Sequence, residues 1–400
     1  MKFKSMKSYN CLLISLLIAC SVYAQHEQVR PLVDFLKEQP LTAKEYVIDQ
    51  FREKDIVILC ERNHGEITQY DLFLDIIKDP YFIENVGTVY TEIGMDIITP
   101  QLDTFLMKEG LDSTQVHKEV TNLLRETKAD CALWAPHSYP WLITKIYALN
   151  QTLDRPQKIH MYPCDMSINW KETHTYEEFH EFQEKVDLFR DSIMADNFIK
   201  QFEQVPARNG NKKALVIMNY RHAFLQHIQN KPNTIQQNFG KYIHDNYKDK
   251  VASIWINGPS YPNSFEEYTV VKDGLWDAAF ELAEKTNVGF SIKGTPFGEV
   301  PCDLNPNLWP ISGYRYQDLF TGIIYYLPIE LHVIKYGWEG AFTEEFKNEF
   351  IRRGRIIFGN EADTLLSEEA VQEYMEEINT FEYHTHGDLE RLRDKIDQWK

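Results

Sequence analysis

The stretch Asp55-Ile56-Val57-Ile58-Leu59-Cys60-Glu61-Arg62-Asn63-His64-Gly65 runs from an apolar segment short enough for a buried strand into an abrupt ending of Glu61, His64 and a glycine. Continuous apolar strands belong to parallel sheets covered on both faces, and in such sheets ligands gather outside the carboxyl ends of the strands. The pattern recurs. Gly87-Thr-Val-Tyr-Thr-Glu-Ile-Gly94 delivers Glu92, and Lys212-Lys-Ala-Leu-Val-Ile-Met-Asn-Tyr-Arg-His222 delivers His222. Two histidines and two carboxylates are thus expected on one sheet edge. A single histidine beside a strand is usually a hydrogen-bonded structural residue, and Glu61 alone is explained by the field of a helix N-terminus. Repetition at strand ends, where loops carry chemistry disproportionately, makes the group a candidate site.

Around these runs, helical periodicity covers residues 43–51, 69–78, 101–108, 113–127 and 139–152, and further strand-like runs fall at 158–162, 214–218, 251–256 and 322–327. Alternation of this kind predicts an α/β fold: a largely parallel central sheet with helices on both faces. Residues 175–205 read as one long charged helix, an arm or lid over the strand ends, about twice the usual helix length. Residues 366–400 read as an acidic helical C-terminal segment, solvated, with His384-Thr-His386 between two helical patterns. No internal repeat or low-complexity tract interrupts the chain.

Lys2, Lys4 and Lys7 precede an apolar stretch from Cys11 to Ala19 and then Val22-Tyr23-Ala24, which predicts a signal peptide over 1–24 and a single domain over 25–400. Leu17-Ile-Ala-Cys20 also reads as a lipobox, with Cys20 acylated. An exported protein, periplasmic or secreted, is expected, touching a membrane only through such an anchor. The formal charge of −18 falls to −21 when those three lysines leave 39 cationic residues against 60 acidic ones. That balance disfavours nucleic acid and anionic surfaces as partners. Beyond the leader, Cys60, Cys131, Cys164 and Cys302 are too sparse for a disulfide scaffold, and Cys60 and Cys164 read as small buried hydrophobes.

Several chemistries lack their motifs. The sequence has no Gly-x-Ser-x-Gly elbow, no His-Glu-x-x-His helix, no Gly-x-x-x-x-Gly-Lys-Ser/Thr phosphate loop and no Gly-x-Gly-x-x-Gly turn. The acid/base cluster remains.

At that cluster the chain resembles the erythromycin esterase family, whose first motif is roughly Gly-Glu-x-Thr-His-Gly; here it reads Cys60-Glu61-Arg62-Asn63-His64-Gly65. Glu92 matches the family's second strand-end glutamate, and Pro163-Cys164-Asp165-Met166 its later aspartate turn. The helix pattern Arg-Asp-x-x-Met-Ala-x-Asn stands as Arg190-Asp191-Ser-Ile-Met194-Ala195-Asp-Asn197, with Arg190, Met194 and Asn197 on one helix face. His222 takes the place of the distal histidine in Ala-His-Asn-x-His, and Asn238-Phe-Gly-Lys-Tyr and Tyr316-Gln-Asp-Leu-Phe are further landmarks, so the resemblance spans about residues 43–327. Cys60, Thr68 and Asn219 depart from the family's glycine, second acidic residue and proximal histidine.

The resemblance implies a cofactor-free hydrolase cleaving a small-molecule ester, a lactone or an acylated glycan. His64 would be the general base, oriented by Glu61 or Glu92, with His222 and Arg190 stabilising the oxyanion or protonating the leaving alcohol. Asp165, Asp191, Asn197 and Asn219 would support them or meet substrate. Two alternatives use the same residues: a divalent metal bound by the His/Glu cluster, as in Tiki-type proteases of the wider superfamily, and non-enzymatic binding, as in its haem-binding lipoproteins. The glycines of the Tiki-type pair are absent, since Glu61 and Asn219 stand three residues before His64 and His222.

Overall fold

A computed structural model describes residues 27–126, 133, 136–231, 234–260, 268–304 and 313–400. The expected leader, its lipobox and Cys131 lie outside the described residues. Seven strands form the central sheet: β1 (Ile56–Glu61), β2 (Thr88–Met95), β3 (His160–Asp165), β4 (Ala214–Asn219), β5 (Val251–Ile256), β6 (Asn287–Ser291) and β7 (Gly322–Tyr326). Their order is β3-β2-β4-β1-β5-β7-β6, with every neighbour parallel except the antiparallel edge pair β6 and β7.

The apolar run of β1 is buried along its whole length because the strand lies mid-sheet between two cores. Val57 and Leu59 face one core, while Ile56, Ile58 and Cys60 face the other, the two-residue alternation that a pleated strand imposes. Burying five such side chains on a covered sheet is what fixes register, since a one-residue slip would swap every residue between faces. Glu61 consequently pairs with Asn219 across β1 and β4, and Cys60 with Trp255 across β1 and β5.

Local signals set the helices. Thr42 and Glu45 form a capping box for the helix Ala43–Glu53, and Thr175 with Glu178 does the same for the 29-residue helix Tyr176–Gln204. That long helix ends at Val205, ahead of Pro206. Apart from Phe179, its buried residues are Met194, Ala195, Phe198 and Phe202, so its second half docks and its first half is largely solvated.

Three expectations need correction. β3 begins at His160 rather than 158 and continues through Pro163 to Asp165; the proline is tolerated because β3 is an edge strand. The expected strand list lacks β6, the antiparallel edge, where Gly289 allows close packing: a Cβ there would meet Tyr46 Cβ at 2.6 Å. Nor is the C-terminal segment simply a solvated tail. Val371, Ile378, Leu392 and Ile396 are buried, and Glu382–His384 pairs antiparallel with Ile334–Tyr336. Among the described residues, no helix is long and apolar enough to cross a membrane. Cys60 and Cys164 are buried free thiols, and Cys302 is also unbridged.

Candidate active site at the strand ends

β1 ends on Glu61, which is 1% exposed, and the turn after it brings His64 back so that its Nδ1 lies 2.7 Å from Glu61 Oε2. The His64 side chain is 19% exposed, so it is reachable from solvent yet fixed from behind. Its Nε2 faces Glu92 Oε1 at 3.8 Å. Glu92 sits where the pairing of β2 with β3 shifts register between Thr91 and Met95, a bulge that re-aims side chains at a sheet rim. Gly94 makes that bulge possible, with φ of +101° and the Tyr139 hydroxyl 2.6 Å from where a Cβ would stand.

Glu92 is the meeting point. Arg190 Nη2 donates to Glu92 Oε1 at 3.2 Å, His222 Nε2 lies 3.3 Å from the same oxygen, and the Asn219 amide donates to Oε2 at 2.9 Å. Asp165 accepts from Arg190 Nε at 2.8 Å and Nη2 at 3.0 Å, a bidentate pair. His222 Nδ1 lies 2.8 Å from Asp191 Oδ1, which also accepts from the Phe239 amide at 2.8 Å. The long helix thus sends Arg190 and Asp191 into the cluster from its middle. Asn197, two turns on, spends its amide on the Cys164 carbonyl at 3.0 Å and ties the helix to β3.

Burial pushes the Glu92 carboxyl upward, but His222, His64 and Arg190 outweigh it and hold it well below the usual range. Burial likewise works against the charge on His222, yet Asp191 and Glu92 raise its pKa to about 9, making it a cation at neutral pH. For His64 too, burial opposes the cation, while Glu61 and then Glu92 raise the pKa above the ordinary value and Arg221 subtracts from the rise. At Arg190, burial is outweighed by Asp165 and Glu92, which raise its pKa.

A cleft of about 260 Å³ opens beside Glu61 and His64, walled by Arg62, Asn219, Tyr220 and Trp255 among others. Glu92, Arg190 and His222 stand outside its lining, so the expected residues converge through contacts rather than facing one cavity together. The residues that the sequence reading passed over lie around the same turn. Arg62 is buried and pairs with the fully buried Glu66 at 2.8 Å, while its other nitrogens reach the Asn257 carbonyl and side chain and the Tyr326 carbonyl. Glu66 also caps the helix Ile67–Ile77, and Gln69 holds the turn by accepting from the Arg62 amide at 2.7 Å and donating to the Asn63 carbonyl at 2.8 Å. An acid at the start of a helix just after His-Gly was the available signal.

Glu61, His64 and Glu92 offer three ligand atoms within 4.8 Å of one another. Their chemistry does not suit a divalent ion. Glu92 Oε1 already serves the Arg190 guanidinium and lies beside the cationic His222. An ion there would share its carboxylate with two cations.

Fold and site define an α/β protein with an acid/base cluster at the carboxyl ends of a largely parallel sheet. Neither a family model nor a curated protein matches the chain. Solved structures do match. A Bacillus cereus protein aligns at 11% identity with a TM-score of 0.50, over 74% of this chain and 96% of its own. A succinoglycan biosynthesis protein aligns at 10% identity and a TM-score of 0.51, over 76% and 97%. The structural neighbours also include an erythromycin esterase mutant in its open conformation, at 10% identity and a TM-score of 0.46, over 72% and 95%. At such identities the likeness is one of fold.

Proposed function

We propose that this chain is an exported hydrolase that cleaves an ester or lactone by attack of water activated at His64. The observation that carries the reading is the 2.7 Å contact of Glu61 with His64 Nδ1, which fixes the imidazole with Nε2 turned toward Glu92 and its cations. A carboxylate on one ring nitrogen sets the tautomer and leaves the other as proton acceptor, provided the ring is neutral. The water oxygen bonds to the ester carbonyl carbon as its proton passes to Nε2. Arg190 and His222, the cations gathered on Glu92, stabilise the negative charge that builds on the carbonyl oxygen. The carbon–oxygen bond of the ester then breaks, and the proton held on His64 goes to the departing alkoxide.

The substrate class is a small-molecule ester, a lactone or an acylated glycan, and no step draws on a metal. Purified protein should hydrolyse at least one member of a panel of esters, lactones and acylated glycans, with equal rates in the presence and absence of chelator. Inactivity across the panel, or activity that survives His64→Ala, would remove the reading.

A further inference from the structure

Behind the Glu61–His64 pair lies a residue that neither motif nor strand-end position singles out. The helix Ile67–Ile77 starts immediately after the His64 turn, and its first turn carries Tyr70, which is buried under the strand end. The Tyr70 hydroxyl donates to Glu61 Oε1, the oxygen opposite the one that holds His64 Nδ1. Ser138 stands at the same hydroxyl and also donates to the His64 carbonyl oxygen. Burial, with Glu61 adding to it, raises the Tyr70 pKa well above that of an ordinary phenol, so the group keeps its proton and stays a donor wherever the site works.

We propose that Tyr70 is a positioning residue that tunes the His64 base through Glu61. This rests on the hydrolase reading given above. A carboxylate shares one negative charge between two oxygens, and a hydrogen bond to Oε1 draws charge away from Oε2. The weaker charge on Oε2 holds the His64 imidazolium less tightly, so the ring gives up its proton at lower pH than it would against a bare carboxylate. The same bond fixes the rotation of the Glu61 carboxylate and hence the direction of the imidazole. The turn does not depend on Tyr70 alone, because Gln69 bonds Arg62 and Asn63 on its own account.

The test is the titration of His64 in the full chain, followed by NMR through its ring carbon-bound proton and assigned by its loss in His64→Gln. In Tyr70→Phe the His64 pKa should rise by about half a unit or more. Placing 3-fluorotyrosine, a stronger donor of the same shape, at position 70 should lower it. The acid limb of any ester hydrolysis should move by the same amounts in the same directions, which a merely structural tyrosine would not produce. Identical His64 titrations in all three proteins overturn the proposal. Should Tyr70→Phe fail to fold, the fluorotyrosine protein decides alone. Should no ester be turned over, the titration still decides the role of Tyr70 while the hydrolase reading falls separately.

Discussion

Glu61, sealed at the end of the central strand β1, meets His64 Nδ1 at 2.7 Å, and the sheet register that places Glu61 beside Asn219 therefore also sets the direction of the imidazole. His64→Ala removes the proton acceptor and little core packing, because the side chain lies at a strand end. Turnover of a hydrolysed ester should fall by ~10²–10⁴-fold, with a folded, cooperatively melting protein. Steady-state kinetics and thermal denaturation check the two halves of that statement.

The pH profile follows from two histidines with raised pKa values. The base must be neutral, so kcat/KM should rise with pH through a His64 pKa lying above its ordinary value. It should fall again as His222 loses its proton near pH 9. The bell should therefore peak on the alkaline side of neutrality. In stability, the His222 contribution is fully present below its unfolded pKa and is lost as pH climbs through about 9. His222→Gln should remove both the alkaline limb of the rate profile and that alkaline loss of stability, measured by urea unfolding across the range.

Glu66 is fully buried against Arg62, and removing it strands a guanidinium inside the protein. Glu66→Ala should cost roughly 3–5 kcal/mol in urea denaturation, the range for breaking a buried pair from one side. A loss below about 1 kcal/mol, typical of a surface ion pair, would show that Arg62 finds water in the native state.

The charge pattern around Glu92 bears on metal. A divalent ion competing with Arg190 and His222 for one carboxylate should bind weakly, so exhaustive dialysis against chelator should leave ester hydrolysis unchanged. Loss of activity on chelation, with recovery on adding a divalent metal, would replace the water-activation scheme with a metal-dependent one.

Export is checked by the native N-terminus. Mass analysis of protein from its source should show a start at Gln25 or a lipid-bearing Cys20. An intact Met1 would refute processing.

Much of the architecture was readable because the strands that matter are buried on both faces. β1 and β4 appear as apolar runs closed by a polar residue, β2 and β5 as β-branched and aromatic runs, and the long charged helical pattern read at 175–205 lies within a residue of the helix Tyr176–Gln204 at each end. β6 escaped because its ends are exposed and its antiparallel pairing with β7 is a tertiary fact. The burial of Val371, Ile378, Leu392 and Ile396 was written in helical spacing, yet the acidic residues around them masked it. At the site, Glu61, His64, Glu92 and His222 were legible as polar endings of apolar runs. Glu66 showed only as a helix-start acid and Arg62 not at all, since their pairing bridges a strand end and a helix start. Trp255 lies inside β5, where sequence gives no way to tell a cleft wall from a core residue.

The turn carrying His64 is braced from far along the chain: Ile67 donates to the Val333 carbonyl and Lys335 donates to the Gly65 carbonyl, both at 2.8 Å, while Ile334 pairs with His384. A nascent polypeptide emerges N-terminus first, so every residue named as a candidate catalyst leaves the ribosome well before the segments that secure this turn. The site should therefore mature late in synthesis, and a product truncated before residue 382 would carry the whole candidate cluster and the Val333 and Lys335 contacts while lacking the strand that pairs with Ile334 and its neighbours.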